Sequence, residues 1–495
     1  MNHHPSQSRA LAIAVYLGCA CLLLAQIAFN FVDIDIWHQM ALIRSSVAAG
    51  HLITDDPFAY VSTVHPMINH EWGAGLVAYF LSKWMGGAGL LLLKFGAAFG
   101  ALFLAMRLAE QRGATPEVLG FLVPPMIILL GLGFLPAVRA HVYSFFFIAC
   151  LLWVLEYDSQ GKHGQFWWWL AIFPLWVNLH AGFVVGMAFV FLYCVEQAIH
   201  RRPFRHAAWA LCGMGAEVLI NPYGVHYFPY LARTLTMARP HIPEWGPVST
   251  LGWGMVFWLA VAAAVFLYTL MRSQPSKTSG VLLIAVSGVE AILHRKMLPI
   301  FAITWLCYVP GYFQKTAAGQ WLERFARRRT WFLLLVWTVT VAVCLTAATR
   351  ERFWRVEVPQ VPGDASYPVG AVEYLAAQKF HGNVMTPFRT GAYVSWKLYP
   401  AVKVSVDSRY DVAYPITWVE RMFRFYEGDE GWQQTLNAYP IDLVLVPVTA
   451  RVRPLIRGLG WNPVYVDAQF ELYARSGVEL PSVDRRPESF SGTYP

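Results

Sequence analysis

Charge is scarce in this chain. Only 14% of its 495 residues are Asp, Glu, Lys or Arg, against about 25% in a soluble globular domain, while 57% are hydrophobic. That excludes an ordinary soluble protein. The shortage is uneven: residues 10–31, 117–135, 182–199, 252–271 and 330–348 are nearly or wholly uncharged. Each approaches the roughly 20 residues needed to cross a hydrocarbon core. Cysteine is absent from the polar tail beyond about residue 350. The seven cysteines (Cys19, Cys21, Cys150, Cys194, Cys212, Cys307 and Cys344) all fall in apolar stretches, so the tail has no disulfide framework. Cys19 and Cys21 are too close together to form a zinc motif by themselves and read as small helix residues. Internal repeats and low-complexity segments are missing too. So is any basic, aromatic-studded soluble patch, which removes nucleic acid as the explanation for a net charge of +8.

The basic residues sit instead in short loops between apolar stretches, where they orient a membrane protein. Arg9 is cytoplasmic, and the helix after it is too long for a signal-peptide core and lacks a clear cleavage site, so it is read as retained. This first span, about 10–31, delivers Asp33 and Asp35 to the outer side. The next span returns to Arg107 and Arg112. Residues 73–85 are apolar but too short to cross, and are expected to lie at the outer interface. Spans at about 117–135, 142–157, 166–179, 182–199, 207–221, 252–271, 279–293, 297–311 and 330–348 follow. Lys162 and His163, the run Arg201-Arg202-Pro203-Phe204-Arg205-His206, Arg272 with Lys277, and Arg324 to Arg329 are placed inside. The threading predicts about eleven membrane helices, with the tail outside. The first outer loop covers 32–72.

The tail, 350–495, alternates short strands with helices. Asn383–Thr386, Val402–Val406 and Asp442–Val446 read as buried strands, and Tyr367–Gln378 and Trp418–Tyr426 as helices. The expectation is a polytopic helical domain over 1–349 and a small α/β domain over 350–495, with the last fifteen residues frayed.

Once the chain is threaded, acids, histidines, asparagines and isolated arginines gather at outer helix ends, where orientation does not explain them. Polar groups at membrane depth are costly and often mark a site. The first outer loop is the richest: Asp33-Ile34-Asp35-Ile36-Trp37-His38, then Asp55-Asp56-Pro57-Phe58, then Asn69-His70-Glu71-Trp72. Carboxylates at i and i+2 can hold a hard divalent cation such as Mg or Mn or supply a base. Either can equally cap the helix expected over about 37–49. Asp55-Asp56-Pro57 is also an ordinary turn signal. His70 and Glu71 suit an acid/base pair, or an interfacial pair beside Trp72. Arg139, His141, His180 and Arg295 stand at outer helix ends, where arginine can grip a phosphate in bidentate fashion or snorkel to headgroups. Arg295, between His294 and Lys296, goes against the orientation rule, which favours phosphate binding.

Several segments carry a family resemblance. They are Asp33-Ile-Asp35-Ile-Trp37-His38, Asp56-Pro57-Phe58-Ala59-Tyr60, His70-Glu71-Trp72, Trp176-Val-Asn178-Leu-His180-Ala-Gly182-Phe183, Asn221-Pro222-Tyr223-Gly224, and Gly391 through Asp407-Ser408-Arg409. In this order, over most of the chain, they resemble a bacterial branch of GT-C-fold glycosyltransferase-like membrane proteins. These in turn are distantly similar to oligosaccharyltransferase catalytic subunits. The resemblance implies a bacterial inner-membrane enzyme with a periplasmic tail. It would transfer a sugar from a polyprenyl-phosphate-linked donor to a glycan, lipid or protein acceptor of the envelope. It implies Asp35, then Asp33, as base or metal ligand, with Glu71 and His70 beside them. Arg295, Arg139, His141 and His180 would serve the donor phosphate. Asp56, Asn178, Asn221, Tyr223, Arg389, Asp407 and Arg409 would serve the acceptor or shape the site. The tail has no Trp-Trp-Asp acceptor-recognition motif, so the acceptor stays open. A flippase of lipid-linked glycan needs the same arginines without a base. A non-catalytic envelope assembly protein needs neither.

Overall fold

The computed structural model describes residues 5–135, 139–272, 279–350, 353–358 and 366–495. Lys277, expected in an inner loop, lies outside them. The chain divides into two compact units. One comprises Met1–Asn30, Leu91–Pro136 and Ala140–Trp354, and the other Phe31–Leu90, Ala137–Arg139 and Arg355–Pro495.

The first unit is helical. Among the described residues, six helical segments are long and apolar enough to cross a membrane: Arg9–Ile27, Gly87–Gln111, Pro116–Phe134, His141–Ser159, Trp253–Arg272 and Thr330–Ala348. Phe183–Ile199 and Val281–Leu293 are shorter apolar helices. Three further expected spans form the helices Gln165–Leu179, Arg205–Glu217 and Leu298–Gln314. They are 15, 13 and 17 residues long, short of the roughly 20 that cross a hydrocarbon core, and the one expected over 207–221 stops at Glu217 before the turn at Asn221. Leu298–Gln314 is buried on nearly every face, as an all-round apolar helix must be. It packs against Pro116–Gly131, His141–Ser159 and Val281–Leu293. Thr330–Ala348 is the opposite, leaving Leu335, Val339 and Val343 exposed, a surface suited to lipid. Its buried residues are Trp337, Cys344 and Ala348, and Trp337 lies so close to Gly18 of the first helix that a Cβ there would stand 2.0 Å from the indole. Small residues permit such approach between membrane helices.

Lys94 is fully buried within Gly87–Gln111. Its ammonium donates to the carbonyls of Ile27, Phe29 and Leu135 and to Asn30 Oδ1, at 2.7–3.1 Å. The end of the first helix is thereby supplied with donors for carbonyls that no helix satisfies.

The second unit is a six-stranded mixed sheet with helices around it. The strands are β1 (Gly382–Met385), β2 (Val402–Val404), β3 (Leu443–Pro447), β4 (Asn462–Val466), β5 (Phe470–Ala474) and β6 (Val483–Asp484). They lie in the order β2-β1-β3-β5-β4-β6. The β2-β1-β3 half is parallel, β5 is antiparallel to both β3 and β4, and β6 runs parallel to β4. The three expected strands correspond to β1, β2 and β3, each within two residues at its start. Helices Val369–Ala377 and Ile416–Glu427 stand where helices are expected. The exposed edge of β2 is covered by the first loop: the Tyr60 amide donates to the Val404 carbonyl at 3.1 Å, and the Val404 amide to the Phe58 carbonyl at 2.9 Å. A loop segment thus blunts an edge that would otherwise invite pairing.

The last fifteen residues are not frayed. They contribute β6, and the Tyr494 ring packs 5.6 Å from that of Trp37 while its hydroxyl meets Ser82 Oγ at 2.6 Å. Trp37 is fully buried and also meets Tyr367 and Tyr393 edge-on. Burial of this aromatic cluster outweighs the polarity of the terminal sequence.

Candidate functional site

Helix Ile34–Ala49 begins three residues earlier than expected, because Asp33 serves as its N-cap: its side chain accepts from the Asp35 amide at 3.0 Å. Asp35 lies in the first turn, where a carboxylate is favoured by the helix dipole. Both carboxylates converge on one guanidinium. Arg139 Nε stands 3.3 Å from Asp33 Oδ2, and Nη2 donates to Asp35 Oδ2 at 3.2 Å. The three side chains are 11–23% exposed, so the group is reachable from solvent yet held in place. Arg139, expected at a phosphate, is engaged with the two acids. Capping and ion pairing act together here, and of the readings of Asp33 the structure carries the cap.

A metal at Asp33 and Asp35 does not fit this arrangement. Their counter-charge is already supplied by Arg139, and an ion would have to displace it. Among the described residues, the one group of three or more ligating side chains suited to a metal lies elsewhere, at Asp158, His163 and His206.

Further along helix Ile34–Ala49, His38 Nδ1 lies 3.0 Å from Ser408 Oγ, and that hydroxyl points to the Ile34 carbonyl at 3.4 Å. His38 is buried, and burial pushes its pKa below the ordinary histidine value against the pull of Asp35 and Asp407. Gln39 Nε2 donates to Glu71 Oε2 at 2.5 Å, and His70 Nε2 is 3.5 Å from Glu71 Oε1. The expected His70–Glu71 pair is therefore present, with Gln39, a residue that no sequence signal singled out, fixing its carboxylate.

Asp56, Asp407 and Arg409 are brought together as well, but in a different state. Arg409 Nη1 donates to Asp56 Oδ1 at 2.6 Å, Nη2 donates to Asp407 Oδ2 at 2.7 Å, and Nε spans both Asp407 oxygens. Tyr414 Oη accepts at 3.0 Å. The side chains are 0–1% exposed. Burial alone would raise the Asp407 carboxyl, but the Arg409 guanidinium outweighs it and holds the pKa below its ordinary value. Asp56 also accepts from the amides of Phe58 and Ala59 at 3.2 and 3.0 Å, the turn that its Asp-Pro sequence signals. These three, expected to contact an acceptor, offer no exposed atom for it.

Other expected residues also carry structural bonds. Asn178 Nδ2 donates to the Pro174 and Ile220 carbonyls at 2.8 and 2.7 Å. Asn221 Oδ1 accepts from the Tyr223 amide at 2.7 Å, closing its turn, and Tyr223 is buried. His141 Nε2 donates to the Gly133 carbonyl at 2.7 Å. His180 Nδ1 accepts from the Gly182 amide at 3.0 Å and meets Ser144 Oγ at 2.7 Å. Ser144 in turn accepts from Trp176 Nε1 at 2.7 Å. That chain leaves Nδ1 as acceptor and puts the proton of neutral His180 on Nε2. Arg389 is half-buried.

Arg295 follows helix Val281–Leu293, and its amide donates to the Gly246 carbonyl at 2.9 Å. Its neighbourhood is cationic and aromatic. Lys296 Nζ lies over the Trp245 ring at 2.8 Å from its centre, the Arg239 guanidinium lies 4.8 Å from that centre, and His294 Nδ1 donates to the Trp245 carbonyl at 2.8 Å. Arg239 and Trp245 were not foreseen. Their signal was an outer loop with one more arginine beside a tryptophan, which positive-inside reasoning passes over.

A largely helical part with apolar spans and a C-terminal mixed α/β sheet make a GT-C-like fold, as its likeness to solved structures shows. No family model matches the sequence, and no curated protein sequence does. Solved structures do: the chain is structurally similar to the GT-C glycosyltransferases AglB and ArnT. The archaeal oligosaccharyltransferase AglB from Archaeoglobus fulgidus, in complex with an inhibitory peptide and a dolichol-phosphate, superposes with a TM-score of 0.57 at 11% identity, covering 90% of this chain and 69% of that one. ArnT from Cupriavidus metallidurans in the apo state gives 0.50 at 11% identity, covering 92% and 95%. At such identities the likeness is one of fold.

Proposed function

We propose that this protein is an inner-membrane glycosyltransferase. It transfers a sugar from a polyprenyl-phosphate-linked donor to a glycan, lipid or protein of the envelope on the periplasmic side. The observation that carries this reading is the Asp33–Asp35–Arg139 group, a part-exposed pair of carboxylates fixed at a helix start. The GT-C-like fold supports it, since the AglB structure holds a dolichol-phosphate. In the full threading all eleven apolar helices cross, the tail and the Arg295 loop lie outside, and 1–349 and 350–495 are the membrane and periplasmic parts.

In the step itself an acceptor hydroxyl attacks the anomeric carbon, the bond from that carbon to the phosphate oxygen breaks, and the hydroxyl proton passes to Asp35. The electron pair leaves with the phosphate. Neutralising that charge is the larger electrostatic task. Removing a positioned base costs about 10²–10⁴-fold in rate. Asp33 and Arg139 hold Asp35 in place through the N-cap bond and the ion pair, and Glu71, His70 and Gln39 form the adjoining polar wall.

The test compares envelope glycans, glycolipids and glycoproteins in a deletion strain carrying either the wild-type chain or Asp35→Asn, at matched membrane levels. The glycosylated species should return with the wild type and stay missing with the variant. Full restoration by Asp35→Asn would instead favour a flippase or an assembly protein. Labelling that placed positions 35 and 295 on opposite faces of the membrane would end the proposal.

A further inference from the structure

A second constellation lies away from the carboxylates, at the helix ends that carry the dense arginine loop. Asp158 is in the last turn of helix His141–Ser159, His163 in the turn that follows, and His206 in the first turn of Arg205–Glu217. His163 Nδ1 and His206 Nε2 both point at one oxygen, Asp158 Oδ1, at 2.7 and 2.6 Å. The other oxygen, Oδ2, accepts from the Tyr193 hydroxyl at 2.6 Å. The Asp158 side chain is 1% exposed, while His163 is 47% exposed.

We propose that Asp158, His163 and His206 form a zinc site. Two imidazole nitrogens and one carboxylate oxygen are the ligand set that zinc favours, with water in the fourth position. The ligand atoms lie within 4.8 Å of one another. Around a tetrahedral ion with bonds of about 2.0 Å they would stand about 3.3 Å apart, so the two N···O spacings of 2.7 and 2.6 Å would open by about 0.6–0.7 Å. The histidines come from a turn and a helix start, which can give by that much. Tyr193 supplies what a metal-bound carboxylate needs, a donor that fixes the oxygen not used as a ligand.

Two rings converge on the single oxygen Asp158 Oδ1 with centres 4.0 Å apart. A dication bound among them turns the three groups into one bonded unit. It would also join the ends of three helices, with a fourth attached through Tyr193.

The test uses the full chain, purified in detergent, stripped with chelator and titrated with Co²⁺, then with Zn²⁺. Stoichiometric Co²⁺ with the visible absorption of a four-coordinate site, displaced by Zn²⁺, is the expected result. His163→Ala and His206→Ala should each abolish that absorption, Tyr193→Phe should weaken binding about 10–100-fold, and His200→Ala should change nothing. His163 is the exposed member, so its alanine variant leaves no cavity. Circular dichroism and gel filtration establish that each variant is folded. Absence of Co²⁺ and Zn²⁺ binding by the wild-type chain would overturn the proposal. So would undiminished binding by the folded His163→Ala and His206→Ala variants.

Discussion

The second unit contains the same three groups twice: two aspartates and one arginine. At Arg409 they are 0–1% exposed, and the guanidinium is bonded to Asp56, Asp407 and Tyr414. At Arg139 they are 11–23% exposed, and the ion pairs are longer, at 3.2–3.3 Å. The difference separates covered carboxylates from reachable ones. A carboxylate whose lone pairs are occupied and whose surface is covered can receive neither a substrate nor a proton. A carboxylate that is positioned yet reachable can. Identical residue types thus differ in what can reach them, through burial and bond saturation.

The comparison is broken most forcefully at Arg409. Arg409→Ala strands two buried carboxylates, a loss of about 3–5 kcal/mol against a total stability of about 5–15 kcal/mol. The variant is expected to be cleaved throughout the second unit in limited proteolysis, at temperatures where the wild type resists. If it proves as stable as the wild type, the buried triad is not a clamp. Asp35→Asn should do the reverse: a fall in glycosyl transfer of about 10²–10⁴-fold with the unfolding midpoint unmoved. A drop in stability like that of Arg409→Ala would erase the distinction between the clusters.

Two smaller changes sharpen it. Asp33→Ala removes an N-cap, which costs about 1 kcal/mol. Arg139→Gln removes a part-exposed ion pair, worth about 0–1 kcal/mol. Thermal unfolding of both should stay close to the wild type, while transfer activity falls in each because Asp35 loses a positioning partner.

The distinction between the clusters was only half legible in the sequence. The acids of the first loop stood out because they follow an apolar span, and Asp56 because Asp-Pro marks a turn. Strand positions in the parallel half of the sheet were readable because β3 is a short apolar run buried on both faces, while buried Val384–Met385 and the Val402/Val404 alternation mark β1 and β2. The β4–β5 hairpin and β6 were not. β4 opens with Asn462-Pro463, and β5 carries Glu471, a charge that argues against a core strand. Glu471 is nonetheless fully buried, because Arg453 and Arg457 reach it from outside the sheet at 2.6 and 3.1 Å. Pairings over long sequence distance were equally invisible. Nothing local announces that Arg409 will meet Asp56, that Arg139 will meet Asp33, or that Tyr494 will seal Trp37. Helix positions were legible, but for shorter apolar stretches such as Arg205–Glu217 and Gln165–Leu179 length alone does not tell a span from a helix packed within a bundle.

His38 offers the finest test, because it lies between the two clusters in character. It is buried like Arg409, yet it sits one helical turn from the reachable Asp35. Burial lowers its pKa, while Asp35 and Asp407 pull the other way. A histidine with a depressed folded pKa contributes stability that is present above its unfolded value of about 6.5 and is lost as pH falls through the folded pKa. The unfolding midpoint should therefore decline below about pH 6.5, with a slope no steeper than one proton allows, about 1.4 kcal/mol per pH unit. His38→Asn keeps a donor near the Ser408 hydroxyl but cannot titrate, so its midpoint should be flatter over the same range. Asp407 has the same sign at lower pH: its depressed pKa makes the stability it contributes disappear only as pH falls below the ordinary carboxylate range. A decline that persists unchanged in His38→Asn would mean that protons enter elsewhere first, and that the wall between the covered and the reachable acids is not where the structure draws it.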